Sequence, residues 1–405
     1  LRILWTIRVF AIVLTAAGSG LAQTAGLDLP TTLRTAQAAN LELRAARQNR
    51  AVVLAGITIA GALPNPIVSF GATRDTPHES LVFDIPIELG GKRAKRLAVS
   101  REEQAGTELD IQLLERNVRR RAREAFFRAV AAQQQTVQSK AALDLSTRIK
   151  DIVQQRFDAG DVAQLEVIQA DVEFARAQAD YEMALQTQKS ADVLLAALLN
   201  RKFDTSLQLQ GRLDQVAVSP MMESIIDTAL HSNPDVQRFT QQYKLEQRRL
   251  ELAKAMRIPN LDLQGGADFN SPPDFQAGGR GLIGVSIPLF YRGRGEVAQS
   301  NARLEFLRLT LQSEQTIVSA EVAAAYFDYL AKVHLAERYS QNILPQTTKL
   351  EQMAQDSYAS GKSNLLTLID AQRKLNDVRK AYVDSLFAAQ SSFAALEEVV
   401  GAPLD

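Results

Sequence analysis

Side chains that could do covalent chemistry are scarce and scattered in this sequence. Histidine occurs three times, at His78, His231 and His334, and cysteine is absent. Thiol catalysis, disulfides and thiolate metal sites are excluded on that ground. Three widely separated imidazoles make no close-spaced ligand set, so no metal site is expected and packing or surface roles are. No nucleophile stands in a recognisable acid–base pattern, so the chain reads as a non-enzyme without a cofactor. Gly278-Gly279-Arg280-Gly281 and Arg292-Gly293-Arg294-Gly295 lack the spacing of a phosphate loop or dinucleotide fingerprint, and read as loop and hairpin-end glycines. Lysine plus arginine number 46 against 46 acids, a balance that argues against a nucleic-acid partner.

What remains is charge in particular places. A basic run, Lys92, Arg93, Lys95, Arg96 and Arg101, has a thinner counterpart in Arg292 and Arg294. A second run, Arg116, Arg119, Arg120, Arg121 and Arg123, is scattered round a helix and reads as a solvated face. Two acids, Glu166 and Asp370, follow soon after Gly160 and Gly361.

The elements that hold these charges are written twice. Arg156-Phe157-Asp158-Ala159-Gly160 aligns with Ser357-Tyr358-Ala359-Ser360-Gly361 at an offset of 201, and the same offset pairs Leu165 with Leu366, Tyr181 with Tyr382 and Asn200 with Gly401. Upstream, Asp84-Ile85-Pro86-Ile87 matches Ser286-Ile287-Pro288-Leu289, Pro64-Asn65 matches Pro259-Asn260, and Asn40 matches Asn233. So long a period means a duplicated half-molecule, not a solenoid repeat. The expected organisation is 23–210 for the first copy and 211–405 for the second, each running helix, two strands, very long helix, return helix.

In the first copy a helix is expected over about 30–58, stopped by Pro64-Asn65-Pro66. Leu81 to Leu89 alternates with period two, and Ile67 to Thr73 is its partner across a polar turn, 74–80. In the second copy the strands read as Leu261 to Phe269 and Ile283 to Leu289, joined by a loop over 270–280. Phe83, Ile85, Ile287 and Leu289 are expected to face lipid, with Asp84 and Ser286 on the opposite side. From Lys92 to Phe157 a helical pattern runs unbroken for about 65 residues, roughly 100 Å. The second long helix meets Pro345, where a bend is expected. The return helix carries a near-heptad seam from Leu365 through Leu375, Tyr382 and Phe393 to Val400, suited to coiled-coil packing.

Strands of about 9–10 residues have the length of transmembrane β-strands, yet four per chain cannot close a barrel, since outer-membrane barrels begin at about eight. An open sheet in lipid leaves unpaired edges, so oligomerisation is a physical requirement. Export fits as well. Residues 1–22 begin with Arg2 and Arg8, continue as an apolar stretch and end Gly20-Leu21-Ala22, the pattern of a secretory signal peptide.

Taken together, Pro64-Asn65-Pro66, Pro259-Asn260-Leu261, Val285-Ser286-Ile287-Pro288-Leu289-Phe290, the two glycine turns and Leu368-Ile369-Asp370-Ala371-Gln372 resemble the TolC-like outer-membrane efflux channels. Glu88-Leu89-Gly90-Gly91-Lys92-Arg93 looks like the heavy-metal cation branch, the CzcC-like channels. The resemblance implies a mixed α and β membrane protein, a homotrimer in which a 12-stranded outer-membrane β-barrel continues into a long periplasmic α-helical barrel. It implies a periplasmic adaptor and an inner-membrane pump, of the resistance-nodulation-division type, as partners. It also implies a periplasmic gate near the glycine turns, with Glu166, Asp370, Tyr358, Thr367 and Lys362 as gate candidates and Gly160 and Gly361 in turns for adaptor contact. Tyr358 is the expected hydrogen-bond partner of Glu166. Lys92, Arg93, Arg292 and Arg294 are candidates for outer-membrane lipid headgroups, with solubilising helix-start charge as the alternative. A drug or type I secretion channel is the alternative within the class. A periplasmic coiled-coil adaptor is the alternative outside it, and would not show two paired sets of alternating strands.

Overall fold

A computed structural model describes residues 26–202, 207–215 and 221–404. The signal segment expected at 1–22 lies outside them. The first half runs α1 (Leu29–Ala39), α2 (Leu41–Ala60), β1 (Ile67–Ala72), β2 (Glu79–Ile87), α3 (Lys92–Asp158) and α4 (Gln164–Leu198). The second runs α5 (Met222–Ser232), α6 (Pro234–Met256), β3 (Leu261–Ser271), β4 (Phe275–Val285), α7 (Arg294–Arg338), a π-helical turn (Tyr339–Ile343), α8 (Leu344–Ala359) and α9 (Leu365–Val400).

The paired landmark residues turn out to be helix punctuation. Asn40 splits the helix expected over 30–58 in two, its Oδ1 accepting from the Leu43 N–H of α2 at 2.9 Å, and Asn233 caps α6 in the same way through Asp235 N–H at 2.9 Å. Asn200 and Gly401 end the two return helices at φ 51° and 79°. Gly160 and Gly361, at φ 81° and 71°, end α3 and α8 in identical turns. Asp161 N–H reaches Arg156 O and Lys362 N–H reaches Ser357 O, both at 2.8 Å.

The four strands form one antiparallel sheet in the order β1-β2-β3-β4. The second hairpin is tighter than the sequence suggested. β4 begins at Phe275, where a loop to 280 was expected, because its glycines extend the ladder to Phe269↔Ala277. It also ends earlier, at Val285, so Ile287 and Leu289 lie beyond the ladder in a short turn closed by Leu289 N–H on Ile287 O at 2.9 Å. Pro288 has no N–H to continue the pairing.

Helices pack in the same sequence as the strands: α2 on α3, α3 on α6, α6 on α7. Below, α4 and α9 flank α3, and α8 lies on α9. The core is three patches strung along the rod. Phe126, Phe127, Leu195 and Leu213 fill the first, Tyr329, Phe393, Ile225 and Leu396 the second, and Val153, Leu365, Leu368 and Tyr358 the third. The bend expected at Pro345 takes the form of the π-helical turn just before it, which absorbs the disruption of the helical ladder.

Candidate functional site

The sheet has one apolar face and one mixed face, on which Ile67, Val82 and Leu282 stand among the polar side chains. Residues opposite one another in an antiparallel ladder share a face, so Val68, Phe83, Ile85, Leu263 and Ile283 lie on one side. Asp84, Gln264, Asp262, Asp268 and Arg280 lie on the other. The first face is exposed and apolar: Phe70, Phe83, Ile85 and Ile283 are 69%, 47%, 46% and 68% exposed. On the second, Gln264 donates to Asp84 at 3.3 Å and Arg280 pairs with Asp268 at 3.5 Å. Among the described residues no helix is long and apolar enough to cross a membrane.

The joint between β2 and α3 uses up most of the basic run. Lys92 is buried and donates to Asn260 Oδ1. Arg93 Nε donates to Gly61 O at 2.6 Å, Lys95 pairs with Glu251 at 2.8 Å, and Arg96 grips the Glu88 carboxylate while also bonding the carbonyls of Ala60 and Ala62. The Arg96 hydrogen bond, with the surrounding cations, holds the Glu88 carboxyl below its usual range. Lys92 is thus held by the Asn260 side chain ahead of β3, and Arg93 by a carbonyl at the end of α2 through its Nε while its side chain stays exposed. Arg292 and Arg294 are exposed, and Arg292 Nε donates to Leu289 O at 3.4 Å.

For the second arginine run, the expected solvated face is corrected. Arg123 is buried against Glu397 at 2.8 Å and lies over the Phe393 ring at 4.7 Å. Arg120 bridges Glu124 and Glu398 at 3.0 and 2.7 Å, Arg121 pairs with Glu42 and Arg116 donates to Ser232 O, both at 2.9 Å. A helix 67 residues long meets α1, α2, α4, α6 and α9 in turn, so residues scattered round it face protein instead of water.

At the far end, the two glycine turns bring α4 and α9 back along α3 and α8. Tyr358 is buried and its hydroxyl donates to Glu166 at 3.3 Å, joining α8 to α4. Burial, then the nearby Glu166 charge, raises the phenol's pKa and keeps it a donor. Arg156 covers the same ring at 5.4 Å. Asp370 is exposed, one turn from Arg373. Thr367 uses both its N–H and its hydroxyl on Asn364 Oδ1, at 3.1 and 2.8 Å, as part of the α9 cap. Lys362 is exposed in the glycine turn. Sequence reading missed the firmest tie here. Arg373 binds one oxygen of Glu173 through Nε and Nη2 at 2.8 and 2.5 Å, fastening α9 to α4. Lys150 pairs with Asp171 at 2.9 Å, fastening α3 to α4. Neither pair has a local spacing that reveals it, since each joins separate helices. Among the described residues no group of three or more His, Asp or Glu is placed to hold a metal ion.

This geometry, a one-faced sheet on a long helical rod with a polar tip, has close counterparts. The chain is 24% identical over 387 residues to the cobalt-zinc-cadmium resistance protein CzcC of Cupriavidus metallidurans, covering 93% of this chain and 90% of that one. Its fold matches a crystal structure of CusC with a TM-score of 0.78 at 17% identity, over 95% of this chain and 96% of that one. It matches the outer-membrane channel OprN with a TM-score of 0.76 at 18% identity, over 93% and 90%. The family model for outer membrane efflux proteins matches residues 32–201 and 225–402. The chain therefore belongs to the outer membrane efflux protein family, as an outer-membrane channel that extends into the periplasm and serves a tripartite efflux system with an adaptor and an inner-membrane pump.

Proposed function

We propose that this channel is a homotrimer that exports heavy-metal cations, working with a pump of the resistance-nodulation-division type. The observation that carries the trimer is the sheet itself. β1 and β4 are both edge strands, each with a row of unpaired backbone groups, and in lipid only closure with further copies satisfies them. Three copies of four strands make a barrel of ordinary size. The cation reading is supported by the similarity to CzcC along nearly the whole chain.

In this reading Phe83 and Ile85 face lipid and Asp84 lines the lumen. Ile287 and Leu289 reach the membrane boundary just past β4, beside Arg292 and Arg294, which meet headgroup phosphates. The turns at Gly160 and Gly361 offer the adaptor its contact. Three copies of Asp370 at the narrow end, with Glu166 behind Tyr358, make an acidic opening that concentrates cations by focusing the field. Metal ions here are cargo, passing without a resident site.

The test is single-channel conductance of the purified protein in planar bilayers, with native mass measurement of the same sample. Three chains per particle and cation-selective current, blocked by millimolar divalent metal and relieved in Asp370→Asn and Glu166→Gln, are expected. Unchanged selectivity and block in both variants would remove these acids from the gate.

A further inference from the structure

Below the joint between β2 and α3 lies a groove of about 990 Å³. Its floor is α3 and its walls are α2 and α6, which both pack on α3. Arg101, Gln104, Glu108 and Gln112 line it at spacings of three and four, so they share one face of α3. Gln237, Gln241 and Lys244 do the same on α6, and α2 supplies Arg50. The groove lies inside one copy of the chain, away from the open edges at β1 and β4.

Its charge is unbalanced. Arg50, Arg101 and Lys244 share the single acid Glu108, and Arg50 already holds that acid at 2.5 Å. Arg101 and Lys244 are exposed, and among the described residues neither has a carboxylate partner. Yet they stand at one height. Glu102, next to Arg101, accepts from Gln241 at 2.9 Å and from Arg248 at 3.4 Å, and Lys244 lies between those two on α6. Two level cations on adjoining helices repel each other unless an anion lies between them. Below them Gln104 and Gln112 have no side-chain partner among the described residues, so each offers a donor and an acceptor.

Arg101 lies nine residues past the start of α3 and Gln112 twenty, about 14 and 30 Å down the helix. The headgroup layer beside the joint is only about 5–8 Å thick. The groove is therefore in the periplasm, past the reach of lipid phosphates. α5 lies against α6, α7 and α9 as a second layer on the helical wall. In a closed tube a second layer lies outside, because inside it would fill the bore. Leu230 and His231, at the end of α5, line the groove, which opens on that outer face.

We infer that the groove binds a glycopeptide strand of the cell wall that lies in the periplasm. The peptide carboxylates of such a strand meet Arg101 and Lys244 in charge-assisted hydrogen bonds. Its N-acetyl amides and hydroxyls meet Gln104 and Gln112, and its methyl groups and sugar faces rest on Leu109 and Val236. A compact oxyanion would engage the two cations and leave the glutamines, and about 16 Å of groove along α3, unused. The inference rests on the chain walling a closed tube, as the trimer reading has it, and is independent of the cargo.

The experiment is co-sedimentation of the purified protein in detergent with washed cell-wall sacculi, with native mass measurement of the same sample and helicity by circular dichroism as the folding control. Wild type should pellet with the sacculi, and a soluble muramyl disaccharide–peptide should release it. Arg101→Gln with Lys244→Gln should lower the bound fraction roughly tenfold at unchanged helicity, through loss of two charge-assisted hydrogen bonds. Arg238→Gln with Lys254→Gln removes equal charge from exposed positions of α6 outside the groove, and should pellet as wild type does. No pelleting of wild type, or equal losses in the two double variants, would overturn the inference while leaving the trimer standing. Release by inorganic phosphate at matched ionic strength, as readily as by the disaccharide–peptide, would overturn the glycopeptide and leave a bare anion site. A particle without three chains would overturn the closed tube, and with it the outward opening of the groove.

Discussion

The two strand–helix joints occupy matching places in the two halves of the chain and behave in opposite ways. The first is stitched on every side: Arg96 to Glu88 and two carbonyls, Arg93 to Gly61, Lys92 to Asn260, Lys95 to Glu251. The second is bare. Arg292 reaches one carbonyl at 3.4 Å, a buried Glu296 oxygen has no hydrogen-bond partner, and Phe290 is fully exposed. The contrast continues downward. α3 runs 67 residues without a break and is pinned by the buried Arg123–Glu397 pair, whereas α7 is interrupted by a π-helical turn before α8. The two halves share a layout and differ in how they are held. The first half's joint and long helix are tied to the second half by Lys92–Asn260, Lys95–Glu251 and Arg123–Glu397, whereas the second half's own joint stays open.

The largest test of that contrast is Arg123→Ala. It leaves the Glu397 carboxylate buried without its main partner, and loss of one member of a buried pair costs about 3–5 kcal/mol. Lys332→Ala removes the exposed Lys332–Asp328 pair on α7, 2.6 Å long, and should cost no more than about 0.5 kcal/mol. Denaturant unfolding of both variants measures the difference. Equal losses would mean that the first half is no better braced than the second.

Next come the two hairpins. The first presents Phe70, Phe83 and Ile85 on its apolar face, while the second has Gly265, Gly279 and Gly281 at the facing positions. A Cβ at any of these three glycines meets nothing within 4 Å. Ile85→Lys should hinder assembly, at roughly 2–4 kcal/mol for a cation at mid-membrane depth. Gly279→Val should be tolerated or should raise barrel stability, since it adds apolar surface to open space. Heat-modified mobility of the folded barrel reports both, and the reverse order would mean that the faces are exchanged.

A smaller effect belongs to the joint itself. Arg96→Ala should cost about 1 kcal/mol, as for a partly exposed ion pair, and Arg292→Ala nothing measurable. The Glu88 carboxyl lies below its ordinary value of 4.5 because Arg96 donates to it. Its contribution is therefore present above that value and lost as the pH falls through the lowered one. Thermal scans at neutral pH and again in acid should show the Arg96→Ala deficit shrink in acid. A deficit independent of pH would place the Arg96 contribution in its carbonyl contacts.

Much of this was legible in the sequence because it is periodic or punctuated. The strand alternation, the helix lengths and the asparagine and glycine landmarks are local signals, and each marks a cap or a turn. The Glu166–Tyr358 bond was also legible, through family resemblance. What could not be read was which charges are spent inside the protein. Arg123, Arg373 and Lys92 look like surface residues until a separate helix or hairpin arrives beside them. The β4 boundaries were misread because Gly278, Gly279, Gly281 and Gly284 carry no alternation to count, although their backbone pairs normally.

The smallest effect is at the tip, where the two halves touch through Tyr358. Its hydroxyl bond to Glu166 is long, at 3.3 Å, and Arg156 and the surrounding Val153, Leu365 and Leu368 hold the ring in place without it. Tyr358→Phe should therefore cost under about 1 kcal/mol and leave the trimer intact. A firmer tie to α4 comes from α9, through Arg373 on Glu173, so α4 should part from the second half more readily in Arg373→Ala than in Tyr358→Phe. Open-channel dwell time in planar bilayers ranks the two. If Tyr358→Phe opened the channel more than Arg373→Ala, the hydroxyl would be the latch and the arginine only a brace along the rod.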